Sequence, residues 1–261
     1  MELSKRLRAV AELVESGNTL ADIGTDHAYI PIYLVGRGRI SSAVAMDVNR
    51  GPLKRAEENI WESGYADKIT VRLSDGFGAL REGEAQSAVI SGMGGSLMIR
   101  ILRDGEQAVR SLKECILQPQ SDIEKVRAFL TGEGFSFIQE DMVEEDGKYY
   151  PMMKVKPPSG TAGQDEGFAE DWSVTELRYG RLLLRDRHPV LREYLEREMR
   201  LYREILERLG RAGSGKDTER TEMRRRELVS RLKCAEKGME YYAVQRDCSG
   251  DRGCLPEGGG S

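Results

Sequence analysis

The segment Ala21-Asp-Ile-Gly-Thr-Asp-His-Ala-Tyr-Ile-Pro31 indicates how the rest of the chain is arranged. It continues the apolar start Thr19-Leu-Ala21, which predicts a buried strand, and it runs into Ile30–Leu34, which predicts a helix. A strand that ends at a glycine and continues as a helix forms a bend where a ligand can approach the backbone closely. Gly24 has no side chain to prevent that approach, so the sequence predicts a ligand site at this bend.

The polar residues at the bend argue against a phosphate as the ligand. A pyrophosphate loop of the form G-x-G-x-x-G has glycines where this chain has Asp26 and Tyr29, because backbone N–H groups must face the anion. Asp22, Asp26 and His27 instead favour a ligand that carries positive charge. S-adenosylmethionine (SAM), with its sulfonium and ammonium groups, is such a ligand.

The rest of the first 156 residues alternates between short apolar segments and helical patterns. Residues 2–16, the segment from Gly51 to about Gly64, and Asp122–Leu130 are predicted helices. The further predicted strands are Ser41–Asp47, Ile69–Leu73, Ser87–Ser91 and Cys115–Gln118, followed by a hairpin of Phe135–Val143 and Tyr149–Val155. This order predicts an α/β fold with a doubly wound, Rossmann-like parallel sheet and an antiparallel edge hairpin. The ligand crevice of such a sheet lies beyond the carboxyl ends of its strands, where the polar and glycine clusters of this chain fall.

Composition divides the chain into four regions. Residues 1–156 carry the α/β pattern, and residues 157–171, rich in Pro, Gly, Ser and acidic residues, are a predicted linker. Residues 172–246 begin with a capping box at Ser173 and Glu176 and then show two heptad-patterned segments around a Gly-rich turn. They predict a C-terminal, coiled-coil-like α-helical hairpin. Residues 247–261 are a predicted disordered tail.

The charge is distributed unevenly. Residues 1–171 hold 20 Lys and Arg against 28 Asp and Glu, a net −8, whereas residues 172–237 hold 18 against 12, a net +6. A basic appendage on an acidic body indicates a polyanionic partner, and an ordinary solvated helix surface is the alternative. No apolar run is long enough to cross a membrane. Four cysteines without a CxxC pair and only two histidines predict neither a metal site nor a disulfide framework, which favours the cytoplasm.

Two carboxylates beyond the first bend suit an adenosyl group. Asp47 ends the second strand, 23 residues after Gly24, where it can accept both ribose hydroxyls; an N-cap of the following helix is the alternative. Asp75-Gly76 suits the adenine ring, and a plain turn is the alternative. Asp22 and Gly24 would hold the methionine part of SAM.

The segment Ser91-Gly-Met-Gly-Gly95 lies where methyl transfer is expected. Enzymes that methylate an exocyclic amine usually carry an Asn/Asp-Pro-Pro-aromatic loop there, whereas this segment offers backbone groups and the apolar wall of Met93. It favours a ring nitrogen with a free lone pair, which needs positioning and water exclusion rather than a base. A tight turn between a strand and a helix is the alternative, as are helix capping for Asp26 and a loop hydrogen bond for His27.

Six segments together resemble a known family: ADIGTDHAYIPIYL, AMDVNRGPLKRAEENI, LSDGFGAL, ISGMGGSLM, LQPQSD and DGKYYPMM. They are similar to the bacterial tRNA adenine-N1 methyltransferases called TrmK. The resemblance implies a monomeric class I SAM-dependent methyltransferase that methylates N1 of adenine 22 in the D-arm of tRNA. It also implies that the C-terminal helices help to hold the tRNA.

Matched position by position, the resemblance implies a set of site residues. The cofactor contacts are Asp22, Gly24, Asp26, His27, Asp47, Asn49, Asp75, Gly76 and Gly92. The target base would meet Asp26, His27 and Ser91–Gly95, with Asp26, His27, Met93 and Gly94 as the catalytic group and no metal. The open alternatives are a methyltransferase of the same fold acting on another RNA or a small molecule, and a SAM-binding module without catalytic activity.

Overall fold

The computed structural model describes residues 2–158, 171–211 and 218–243. Its strands are β1 (Leu20–Ile23), β2 (Ala43–Asp47), β3 (Ile69–Leu73), β4 (Ser87–Gly94), β5 (Glu114–Ser121), β6 (Ser136–Glu145) and β7 (Lys148–Lys156). Its helices are α1 (Lys5–Glu12), α2 (Tyr29–Gly36), α3 (Arg50–Glu62), α4 (Gly95–Asp104), α5 (Glu106–Arg110), α6 (Ile123–Gly132), α7 (Val174–Tyr179), α8 (Arg181–Arg185), α9 (Pro189–Arg211) and α10 (Thr218–Ala243).

The seven strands form one sheet in the order β3-β2-β1-β4-β5-β7-β6. Strands β1 to β5 pair in parallel, and β7 pairs antiparallel with both β5 and β6. The predicted doubly wound sheet with an antiparallel edge hairpin is confirmed. From β1 the chain builds the sheet outward through β2 to β3 on one side, and it then returns to add β4 and β5 on the other side of β1. This switch in direction places a ligand crevice at the carboxyl ends of the neighbouring strands β1 and β4.

Alternate residues of the central strands enter two hydrophobic core layers, one on each face of the sheet. Leu20 packs into the layer that includes Val10 of α1 and Leu34 of α2. Ala21 and Ile23 pack into the layer that includes Met98 of α4. The near-continuous apolar sequence of β1 follows from this burial on both faces.

Strand β4 is longer than the sequence indicated. It continues beyond Ser91 through Gly94, and its pairing with β5 becomes irregular at Met93 and Gly94, which lie opposite Pro119 and Ser121. The glycines allow the strand to continue at a place where the register shifts, so α4 begins only at Gly95.

The chain divides into two compact units, Met1–Leu191 and Arg192–Ser261. The capping box that starts α7 is present: the Ser173 hydroxyl accepts from the Glu176 N–H, and the Glu176 carboxylate accepts from the Ser173 N–H. Helices α7 and α8 fall within the first of these units, and the start of a separate helical domain at residue 172 stays a prediction. Residues 159–170 of the predicted linker lie outside the described residues.

A buried ion pair attaches α7 and α8 to the sheet. Arg127 of α6 donates through Nε to Glu140 Oε1 at 2.8 Å, and both side chains are almost completely buried. The Arg127 Nη1 group donates to the carbonyl oxygens of Leu177 and Arg178, at 3.1 and 2.9 Å. The Leu182 N–H donates to Glu140 Oε2 at 2.9 Å. A buried pair that is also hydrogen-bonded to the backbone fixes the position of the segment that supplies these groups.

The second unit contains α10 and most of α9. Leu195 and Tyr202 of α9, and Leu228 and Ala235 of α10, are buried at the predicted heptad positions. Arg203 Nη2 donates to Glu236 Oε1 at 2.9 Å and so links the two helices. Coiled-coil packing between them stays a prediction. The Gly-rich turn was predicted at residues 210–217; Gly210 and Arg211 belong to α9, and residues 212–217 and the predicted tail lie outside the described residues. None of the helices in the described part of the chain is long and apolar enough to cross a membrane.

Candidate active site

The first bend is held by the end of β2. The N–H groups of Gly24 and Thr25 both donate to the Met46 carbonyl oxygen, at 2.7 and 2.9 Å. Gly24 has φ +75°, in the left-handed region that favours glycine. A Cβ atom on Gly24 would lie 1.9 Å from Cε of Met93, so the tip of Met93 packs directly over this glycine. The bend therefore needs glycine for its backbone conformation and for the space above it.

Asp22 lies at the floor of the site with 6% of its surface exposed. Burial raises the pKa of its carboxyl from 3.8 to about 6; a hydrogen bond with Thr25 opposes the rise, and the charge of Asp47 adds to it. A carboxyl whose ionised form is disfavoured by burial gains most from a cationic ligand, because the ligand supplies the missing counter-charge.

A cavity of about 390 Å³ brings together many of the predicted site residues. They are Asp22, Gly24, Asp26, His27, Ser91, Gly92 and Met93. The cavity thus joins the bend after β1 to the last part of β4, as expected for two adjacent parallel strands. Gly94 is not among its lining residues.

Asp26 and His27 form a polar group on one wall. Asp26 Oδ1 accepts from Arg55 Nη2 of α3 at 2.5 Å, and Asp26 Oδ2 lies 3.3 Å from His27 Nε2. The His27 ring stacks on Tyr29 with a centroid distance of 4.8 Å. Asp26 does not cap α2, because the N-cap is Ala28 and no side-chain capping hydrogen bond is present there. The Ala28 N–H donates instead to the Thr25 hydroxyl oxygen at 3.2 Å. Arg55 holds the Asp26 carboxylate at the cavity wall.

The other predicted cofactor residues follow the ends of β2 and β3. Asp47 Oδ1 accepts from the Asn49 N–H at 2.7 Å, and Asn49 is the N-cap of α3 without a side-chain capping bond. Asp75 and Gly76 line a second cavity of about 410 Å³, together with residues of α4 and α5. Asp47 and Asn49 line neither of these two cavities, but Asp47 is close enough to influence the titration of Asp22.

Sequence reasoning missed three residues around the end of β4. Arg6 of α1 and Gln120 of β5 line the first cavity beside Gly92. Gln118 of β5 accepts hydrogen bonds from Arg6 and from the Ser91 hydroxyl, at 2.9 and 3.3 Å. The polar residues of LQPQ at the end of an apolar strand were a signal for the two glutamines. Arg6 had no such signal, because it looks like one of several charges on an amphipathic helix.

Among the residues that the structure describes, no group of three His, Cys, Asp or Glu side chains is placed to hold a metal ion. The sheet order, the glycine bend beside a buried carboxylate, and the carboxylates at the ends of β2 and β3 define a class I methyltransferase domain. A family model described as a methyltransferase domain matches residues 3–153.

Comparison with curated proteins identifies which kind of methyltransferase the chain resembles. The chain is 31% identical over 242 residues to the tRNA (adenine(22)-N(1))-methyltransferase of Bacillus subtilis, covering 92% of this chain and 98% of that one. This chain belongs to the bacterial tRNA (adenine(22)-N(1))-methyltransferase family.

Solved structures agree with this assignment. The crystal structure of the B. subtilis m1A22 tRNA methyltransferase TrmK is 31% identical, with a TM-score of 0.75 over 91% of this chain and 99% of that one. A Streptococcus pneumoniae protein in complex with SAM is 32% identical, with a TM-score of 0.76 over 91% of this chain and all of that one.

Proposed function

We propose that this protein transfers the methyl group of SAM to N1 of adenine 22 in tRNA. The observation that carries the proposal is the 31% identity to the B. subtilis enzyme of that name across 98% of its length. The cavity supports the reaction type, because it joins the predicted cofactor residues after β1 to the backbone-rich segment at the end of β4.

The residues present fit SAM. Gly24 forms a cradle that a Cβ atom would fill, and Asp22 is a buried carboxyl beside it. Asp22 and Gly24 would hold the methionine part, Asp47 with Asn49 the ribose, and Asp75 with Gly76 the adenine. Gly92 would border the cofactor on the side of β4. When bound, SAM supplies an electrophilic methyl group, and the electron pair of the broken S–C bond stays on sulfur.

The adenine side of the site needs shape more than acid or base chemistry. N1 of adenine carries its own lone pair, so no side chain has to remove a proton before the N–C bond forms. The backbone of Gly92–Gly94 and the side chain of Met93 would position the ring and exclude water. Flipping the adenine out of its tertiary contacts costs about a few kcal/mol, which contacts to the protein must offset.

Asp26 and His27 would stand beside the target base. The methylated ring is a cation, so the Asp26 carboxylate would stabilise the charge as it develops. Arg55 bonds to one carboxylate oxygen of Asp26 and His27 lies near the other, and these contacts orient the carboxylate, while the Arg55 guanidinium partly offsets its negative charge. Asp26 thus acts in this proposal as a fixed electrostatic partner and not as a general base.

The helices after the catalytic domain would bind the tRNA. We propose residues 1–156 as the catalytic domain, 157–171 as the linker and 172–246 as the tRNA-holding helical domain, whose first two helices, α7 and α8, are bonded to α6 and β6. The net charge of +6 over residues 172–237 supports contact with tRNA phosphates. The protein would act as a monomer in the cytoplasm.

The deciding experiment incubates the protein with labelled SAM and unmodified tRNA and then analyses the nucleosides for 1-methyladenosine. We expect label in 1-methyladenosine with A22 tRNA and none with tRNA carrying G22. Asp47→Ala should lose SAM binding in calorimetry and therefore also methylation, because the ribose loses its acceptor. A matched control is Asp67→Ala, which removes an exposed carboxylate before β3.

Each rival function gives a different result. Methylation whose rate does not fall with rising salt would point to a small-molecule substrate, since binding to tRNA phosphates weakens steeply with salt. Label in another nucleoside would point to another RNA site. SAM binding without methyl transfer to any tRNA would leave only a cofactor-binding module.

A further inference from the structure

Arg6 is held rigidly at the end of β4. Its Nη1 group donates to Ser91 Oγ at 3.1 Å and to Gln118 Oε1 at 2.9 Å. Its guanidinium carbon lies 5.6 Å from the centroid of the Tyr150 ring, within the range of a cation–π contact. Contacts to β4, β5 and β7 therefore fix a side chain that would otherwise have many rotamers.

The positive charge of Arg6 has no counter-ion in the described part of the chain. Arg6 is also the one Lys or Arg among the residues that line the first cavity. Arg55, by contrast, is paired with Asp26 at the cavity edge. The two N–H groups of Arg6 Nη2 and the one of Nε donate to none of the described residues, so three of its five donors remain for a ligand.

The open space in front of Arg6 lies at the rim of the cavity. A Cβ atom on Gly92 would lie 3.7 Å from Arg6 Nη1 and 3.7 Å from Gln120 Nε2, so the Arg6 guanidinium and the Gln120 amide border the same space. Gly92 and Gln120 are exposed, whereas Asp22 is buried at the floor of the cavity. A fixed cation and an amide donor around an exposed glycine suit an oxyanion that arrives from solvent.

We propose that Arg6 and Gln120 bind a backbone phosphate of the tRNA nucleotide whose base enters the cavity. This inference rests on the proposed function and adds to it the residues that position the substrate. Pairing with a phosphate also suits the chemistry, because a bare guanidinium beside a ring that becomes a cation would oppose methyl transfer. Arg6 is a positioning residue: it holds the nucleotide and does not take part in bond formation.

The test compares Arg6→Gln, Arg6→Lys and the matched control Arg8→Gln in steady-state kinetics with tRNA. Arg8 lies on the same helix, is exposed and pairs with Glu12. For Arg6→Gln we expect the KM for tRNA to rise about tenfold or more, because a charge-assisted hydrogen bond is lost. The slope of log(kcat/KM) against log[salt] should become shallower by about 0.7 to 0.9, the value of one phosphate contact. Arg6→Lys should restore most of the salt slope, and Arg8→Gln should behave as the unmodified protein.

Calorimetry with SAM and thermal melting complete the test. We expect Arg6→Gln to bind SAM as tightly as the unmodified protein and to melt within a few degrees of it. A large loss of SAM affinity would overturn the proposal in favour of the carboxylate of SAM as the anion. An unchanged KM and salt slope in Arg6→Gln, or a slope that Arg6→Lys fails to restore, would overturn it in favour of a structural role. If the unmodified protein forms no 1-methyladenosine, the proposed function fails first, and that result is separate from any Arg6 variant.

Discussion

Replacing Asp22 by Asn should stabilise the protein near neutral pH while weakening SAM binding. The Asp22 carboxyl is buried, and burial raises its pKa from 3.8 to about 6. Each tenfold change in a protonation equilibrium is about 1.4 kcal/mol, so this rise corresponds to a destabilisation of about 3 kcal/mol when the carboxyl is ionised in the folded state. An amide of the same shape avoids that cost.

The sign of the pH dependence follows from the direction of the shift. Between about pH 4 and pH 6 the folded protein keeps the Asp22 proton that the unfolded chain has lost. The free energy of unfolding of the unmodified protein therefore falls as the pH rises through this range, as far as Asp22 is concerned. The advantage of Asp22→Asn should approach about 3 kcal/mol at pH 7 and should shrink toward zero at pH 4.

Ligand binding should show the opposite trend. If Asp22 pairs with the ammonium group of SAM, only the ionised carboxylate binds well. With a pKa of about 6, roughly one molecule in ten is ionised at pH 5 and nine in ten at pH 7. We expect SAM to bind about tenfold more weakly at pH 5 than at pH 7, and to bind Asp22→Asn weakly at both.

The assays are urea unfolding and calorimetric titration with SAM, each at pH 5 and pH 7, with Asp67→Asn as the control for an exposed carboxylate. The reasoning would be refuted if the SAM affinity of the unmodified protein were the same at both pH values. It would also fail if Asp22→Asn were less stable than the unmodified protein at pH 7, because burial would then not be the dominant influence on this carboxyl.

Three further substitutions test other parts of the structure. Gly24→Ala should abolish SAM binding in calorimetry, because φ at this position is +75° and the new Cβ would meet Met93 Cε. The control is Gly38→Ala, which is also in the left-handed region but has open space around it. Retained SAM affinity in Gly24→Ala would contradict the role of Gly24 as a cradle for the cofactor. Asp26→Ala should lower kcat for tRNA methylation about tenfold or more through lost charge stabilisation, and full turnover with unchanged SAM affinity would exclude that role. Gly180→Ala should lower the free energy of unfolding, measured in urea, by about 3 kcal/mol or more, because φ is +97° and the Cβ would lie 2.6 Å from a Glu140 carboxylate oxygen. A urea midpoint equal to that of the unmodified protein would show that α7 and α8 tolerate displacement.

The arrangement of the sheet could be predicted because each central strand is short, apolar and followed by a polar or glycine cluster. The hairpin was predictable from Asp146-Gly147 between two apolar segments, and the structure pairs β6 with β7 across this turn. The extension of β4 was not predictable, because Gly92 and Gly94 have low strand propensity and their pairing depends on the irregular partner strand β5. Short α5 was missed for a similar reason, since five residues are too few to show a helical period.

The position of α7 and α8 could not be predicted from their own sequence. Ser173 and Glu176 correctly indicate where a helix starts, but they do not indicate which unit the helix packs against. That choice depends on Arg127 and Glu140, which look like ordinary surface charges in the sequence and become a buried pair only in the folded sheet. Long-range ion pairs of this kind have no local pattern.

The candidate site shows the same division between local and long-range information. Asp22, Gly24, Asp47 and Asp75 each lie at or just beyond the end of a strand, so sequence spacing alone predicts that these proposed cofactor residues fall at one edge of the sheet. The proposed tRNA-facing half also includes Arg6, which lies 85 residues from its partner Ser91 and 112 residues from Gln118. Since α1 supplies this side chain to the ends of β4 and β5, the first helix lines the cavity as well as covering the sheet. We therefore expect residues that select the tRNA nucleotide to lie on elements distant in sequence from the cofactor loops, where spacing gives no warning of them.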